Sequence, residues 1–124
     1  MQNSSDPRHN SRVIALQKLF QSEFISRHTI EKMDEFPLNA LKEIDELGNY
    51  DPLLTDKLLR NIKPNLKRID AIIEELAPEW PIEKIAVIDL LILRLALLEA
   101  FVLKITPPKV VINEAIELAK DFSN

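Results

Sequence analysis

Three ionisable side chains, Asp89, Arg94 and Glu99, interrupt an otherwise apolar run from Ile85 to Leu103. Asn113 and Glu114 open the next segment, beyond a Thr106-Pro107-Pro108 break. Two carboxylates on one helix are raw material for general acid–base catalysis, but that chemistry also needs a pocket and a positioned substrate. Nothing else in the chain defines one. There is no cysteine, which excludes disulfides, thiolate nucleophiles and cysteine-ligated zinc. The single glycine, Gly48, excludes the glycine-rich loops that cradle phosphates or dinucleotides. His9 and His28 are too few for a typical histidine metal site. The residues therefore specify no catalytic group, no metal and no cofactor. Asp89, Arg94, Glu99, Asn113 and Glu114 read instead as structural polar groups, Arg94 satisfying Glu114 or Glu99 across a helix pair. Breaking such a buried pair would cost about 3–5 kcal/mol.

The cations are more suggestive. Net charge is −4, against the uniformly basic surface of a general nucleic-acid coat, so any anion-binding surface must be local. Arg8, His9 and Arg12 cluster near the start of the chain. Arginines one helical turn apart can contact successive phosphates or stack on unpaired bases, the usual mode for single-stranded RNA. Their bland alternative is a solvated helix start. A second basic run, Lys57, Arg60, Lys63, Lys67 and Arg68, contains no acid and by default reads as a solvated helix face. Lys109 is a lone cation at the start of the last helical segment, and Trp80, between Pro78 and Pro81, reads as a core anchor at a turn.

Helices must position these groups. The 124 residues make one domain with a real core, and 46% hydrophobic and 29% charged residues fit a soluble globular chain. Residues 1–7 are polar and read as a disordered tail. Val13, Leu16, Phe20 and Phe24 recur at helical spacing over about 7–24. A second segment, about 29–47, carries Ile30, Met33, Leu41, Ile44 and Leu47, is broken near Pro37 and stops at Gly48-Asn49. Asp51-Pro52 opens a third, which Pro64 kinks or divides. The continuation holds the seam Leu66, Ile69, Ile72, Ile73 and Leu76. The 85–103 run approaches the roughly 20 residues of a membrane span. Three charges there would each cost about 2.5–3.5 kcal/mol near mid-membrane. A buried central helix is the better reading, followed by a last helix with the seam Val111, Ala115, Leu118 and Phe122. No N-terminal apolar run marks a secretory signal.

The pattern from Asp89 through Leu93-Arg94, Ala96 and Glu99, with Lys109-Val, Ile112-Asn113-Glu114-Ala115 and Leu118-Ala119-Lys120, resembles the NusB family of transcription antitermination factors. The order Arg12, Ala15, Gln17, Leu19-Phe20 is similar to that family's first helix, with Phe20 where a tyrosine is usual. The resemblance covers about residues 8–122. It implies an all-α bundle of about five to six helices around a buried central helix, and a cytoplasmic, non-enzymatic protein. It further implies binding of boxA-type single-stranded RNA of ribosomal RNA operons, jointly with the small ribosomal protein NusE, in a transcription elongation complex. By the same resemblance RNA contacts fall on Arg8, His9, Arg12 and Lys109, and partner contacts on Phe20 and Asp89. The RNA-binding extension of ribosomal RNA cytosine methyltransferases is similar too, and a protein-only interaction module is the third alternative. NusB-like domains continue into a further helix with a Phe-Val-Asn-Gly-Val-Leu-like signature. The expectation is thus a truncated domain over 8–124, with an uncovered apolar groove between the central and last helices that is open to self-association.

Overall fold

The computed structural model describes residues 6–27 and 44–123. The described residues are helical, in the order α1 (Pro7–Arg27), α2 (Ile44–Leu47), α3 (Pro52–Ile62), α4 (Leu66–Leu76), a 3₁₀ turn (Ile82–Lys84), α5 (Val87–Leu97), a π turn (Leu98–Val102) and α6 (Pro108–Phe122). No strand occurs among them, in agreement with the all-α expectation. Most of the expected 29–47 segment, including the Pro37 break and His28, lies outside the described residues, as does most of the expected N-terminal tail. Two compact units are present, Met1–Asp56 and Lys57–Asn124, the division falling inside α3.

In the first unit α1 begins at Pro7, whose missing N–H costs nothing in a first turn. Asp6 accepts the Arg8 amide at 3.1 Å. Nine consecutive residues, His9 to Gln17, are buried, although His9, Asn10, Ser11, Arg12 and Gln17 are polar. Side-chain hydrogen bonds to distant backbone make this tenable. Asn10 Nδ2 donates to the carbonyls of Leu47 and Asn49, both at 2.7 Å. Ser11 Oγ lies 2.8 Å from both the Asp51 and the Pro7 carbonyl, either of which takes its one proton, and accepts the Asp51 amide at 2.7 Å. Thr55 Oγ1 donates to the Ser11 carbonyl at 3.0 Å. Buried polar groups are tolerated where such partners exist. Gly48, at φ 83°, ends α2 in the left-handed conformation its lack of Cβ permits. The Asp51 carboxylate then accepts from the Leu53 and Leu54 amides and starts α3.

In the second unit Pro64 sits in the turn that separates α3 from α4, so the proline divides the helix rather than kinking it. Ile69 and Ile73 are buried and Leu76 is exposed. Helix α5 packs against α4 and α6. Its Leu90, Leu91, Ile92, Leu95 and Leu97 are buried, and Leu98 and Ala100 continue the core into the π turn. There the Leu103 amide reaches back five residues to the Leu98 carbonyl at 2.8 Å. Lys104 adopts φ 54°, and the Ile105 amide takes up the Glu99 carbonyl at 3.1 Å. Pro107 and Pro108 then start α6, Pro108 in its first turn. Trp80 is 67% exposed, so it is not the core anchor its flanking prolines suggested. The prolines fix the chain direction there without burying the ring. No helix among the described residues is long and apolar enough to cross a membrane.

Candidate nucleic-acid interface and an apolar groove

Arg94 finds its carboxylate on α4. Its Nε and Nη2 donate to Asp70 Oδ1 and Oδ2, both at 2.9 Å, in a two-pronged geometry that only a planar guanidinium allows. This corrects the expected pairing with Glu114 or Glu99. Asp70 was overlooked because it directly follows the basic 57–68 run and looks like a solvated helix acid. The available signal was its place beside Ile69 and Ile73, facing an apolar helix with a lone arginine. Glu99 is 2% exposed and accepts from Thr106 Oγ1 at 2.7 Å, which ties the π turn to the break before α6. Asn113 is exposed on α6 and Glu114 half-buried there. Arg94 with Asp70 and Glu99 with Thr106 are thus two of the polar links that hold this unit.

The N-terminal cations diverge. Arg8 is exposed, its guanidinium 4.0 Å from the Asp51 carboxylate, a distance at which the pair adds little in water. His9 is buried, and Arg12 is only 5% exposed. The picture of successive arginines open to phosphates therefore reduces to Arg8 in this conformation. Phe20 is half-buried and meets Phe24 edge to face at 6.4 Å between ring centroids. Lys109 is exposed in the first turn of α6. The first turns of α1, α4 and α6 contain no acid. They hold Arg8, Lys67 with Arg68, and Lys109, against the preference of a helix N-terminus for negative charge. At α4 and α6 such cations add positive potential to a helix N-terminus, whereas at α1 the Asp6 carboxylate already takes the Arg8 amide.

Asp89 is half-buried near the start of α5. It borders a small hollow shared with Trp80, Lys84 and Ile85, about 240 Å³ in volume. It also borders a larger apolar groove of about 480 Å³ between α5 and α6. Ala96, Ala100, Ala115 and Ala119 give that groove a shallow floor, flanked by Leu93 (41% exposed), Phe101 (49%), Ile112 (58%) and Ile116 (49%). The expected uncovered groove is therefore present. No group of His, Cys, Asp or Glu among the described residues could hold a metal ion.

The described residues thus form a small all-helical protein with an apolar groove and separate exposed cations. The NusB family profile matches residues 9–124. The chain is 35% identical over 116 residues to the transcription antitermination protein NusB of Clostridium acetobutylicum, covering 94% of this chain and 82% of that protein. It is 36% identical to the NusB of Natranaerobius thermophilus over the same shares, and 38% identical to that of Geotalea daltonii, covering 93% and 81%. No solved structure matches significantly. The chain belongs to the NusB family. It is accordingly not an enzyme.

Proposed function

We propose that this protein is a cytoplasmic transcription antitermination factor that binds boxA-type single-stranded RNA of ribosomal RNA operons together with NusE, within the elongation complex. The observation that carries the reading is its identity, about 35% over nearly the whole chain, to proteins named as antitermination proteins. Those names favour it over the methyltransferase-extension alternative. Exposed Arg8 and Lys109 contact phosphates, while buried His9 and Arg12 shape the helix that presents Arg8. Phe20 in the first unit and Asp89 in the second are partner-contacting residues, Asp89 lying where an apolar groove and a smaller hollow meet. Affinity comes from phosphate neutralisation, and specificity from unstacked bases and the shared protein surface.

The test is a salt titration of RNA binding by the full chain. Arg8→Ala with Lys109→Ala should weaken boxA-type binding, and each lost contact should reduce the log–log slope by about 0.7. Asp89→Lys should impair the NusE-dependent gain and spare binding of RNA alone. A wild-type protein that binds boxA-type and scrambled RNA equally, with or without NusE, would overturn the reading.

A second reading, self-association, is favoured by the open groove. Ile112→Lys with Ile116→Lys should abolish concentration-dependent sedimentation and lower the binding of hydrophobic dye. A wild-type chain that stays monomeric and binds no dye would sink it.

A further inference from the structure

The strongest feature that this function does not use is the run from Lys57 to Arg68. Lys57 and Arg60 stand on the last turns of α3, Lys63 in the turn after it, and Lys67 and Arg68 in the first turn of α4, all exposed. A chain of net charge −4 here concentrates five cations in twelve residues without one acid. Of the flanking acids, Asp56 precedes the run, and Asp70 after it is engaged by Arg94. The backbone that carries the cations is fixed. Leu58, Ile62 and Ile69 are buried beneath it. Asn61 Nδ2 donates to the Lys57 carbonyl and Asn65 Nδ2 to the Asn61 carbonyl, each at 2.8 Å, and the Leu66 amide closes the turn on the Lys63 carbonyl. Lys67 and Arg68 also work against the α4 dipole, so local helix stability does not explain them.

We propose that this surface is a second RNA contact, one that grips the phosphate backbone without reading sequence. The proposal rests on the RNA-binding reading above and adds a site to it. Its chemistry follows from what the patch lacks. No aromatic residue occurs between Lys57 and Arg68, so the patch has no aromatic platform on which successive bases could stack. No large exposed apolar side chain occurs there either. An inserted membrane site would need an apolar face and a protein interface a buried anchor, so the patch offers charge alone, which an RNA backbone matches and anionic vesicles test. Three flexible ammonium groups and two guanidinium groups around a rigid turn suit the repeated charge of a single-stranded backbone. The surface would raise affinity for any transcript equally and leave discrimination to the N-terminal site.

The experiment measures binding of the full chain to a uridine homopolymer RNA and to a boxA-type RNA over a range of salt. The variant combines Lys57→Gln, Arg60→Gln, Lys63→Gln, Lys67→Gln and Arg68→Gln. Homopolymer affinity at low salt should fall about ten-fold or more, and the slope should flatten by up to about 3.5, at about 0.7 per contact. The ratio of boxA-type to homopolymer affinity and the melting curve should not change. Lys57→Arg with Lys63→Arg and Lys67→Arg, which keeps the charge, should bind like wild type. Unchanged affinity and slope in the glutamine variant, with wild type binding homopolymer, overturn the proposal. So does a variant that keeps its RNA affinity but loses binding to phosphatidylserine-containing vesicles. Failure of the functional reading looks different: wild type would not prefer boxA-type RNA, while the homopolymer result still decides the patch. A wild type that binds no RNA at all overturns both.

Discussion

The start of α1 and the α5–α6 hairpin invert the usual relation between polarity and burial. Residues 9–17 include five polar side chains and are fully enclosed. The hairpin is built from the most apolar sequence in the chain, and leaves Leu93, Phe101, Ile112 and Ile116 facing a groove. In the first region side-chain donors meet carbonyls some forty residues away, and polar groups close the structure. In the second, apolar side chains have filled one side of a helix and still outnumber the neighbours that cover them among the described residues. Burial is decided by which partners exist, and hydropathy describes only the demand for them.

The largest effect that could break this contrast lies within one region. Leu98 and Leu93 belong to the same continuous helical run, one buried and the other open to the groove. Leu98→Ala should lower unfolding stability by about 3 kcal/mol through the cavity it leaves, and Leu93→Ala by under about 1 kcal/mol. Equal losses in urea unfolding would mean that the groove is filled in solution. Next comes the polar side. Asn10→Ala removes both donors to the Leu47 and Asn49 carbonyls and should cost about 2 kcal/mol, more than an average surface substitution. A neutral result would show that water replaces the amide and that the region is less closed than described. The smallest effect sharpens the hairpin's geometry. Lys104 holds a left-handed conformation that suits glycine, so Lys104→Gly should raise stability by about 0.5–1 kcal/mol in the same assay.

Much of the fold was legible because its punctuation is chemical. Pro7, Pro52, Pro64 and Pro107-Pro108 restrict the backbone on their own, Gly48 permits a left-handed stop, and helices begin or end at or next to them. The seams of α4 and α6 were legible in their buried members, Ile69, Ile73, Val111 and Leu118. Whatever depended on a distant partner was not. Arg12 looked like an exposed cation because enclosure is conferred by other segments. Arg94 was recognised as a structural ion, yet its partner could not be chosen among several carboxylates by spacing alone. Trp80 resembled an anchor because large aromatic residues usually bury themselves, yet its ring is exposed here.

The π turn at Leu98–Val102 has a consequence for how this segment can change over time. Because the Leu103 amide bonds five residues back, the turn accommodates one residue beyond the regular helical period. Deleting a residue there would restore ordinary winding and leave α6 close to its present direction, because the five residues from Leu98 to the Leu103 bond close a turn that about four close elsewhere. The same loss inside α5 would rotate everything downstream by about 100°. Among sequences descended from a common ancestor with this chain, one-residue gaps should therefore fall between Leu98 and Leu103 more often than inside α5 or α6.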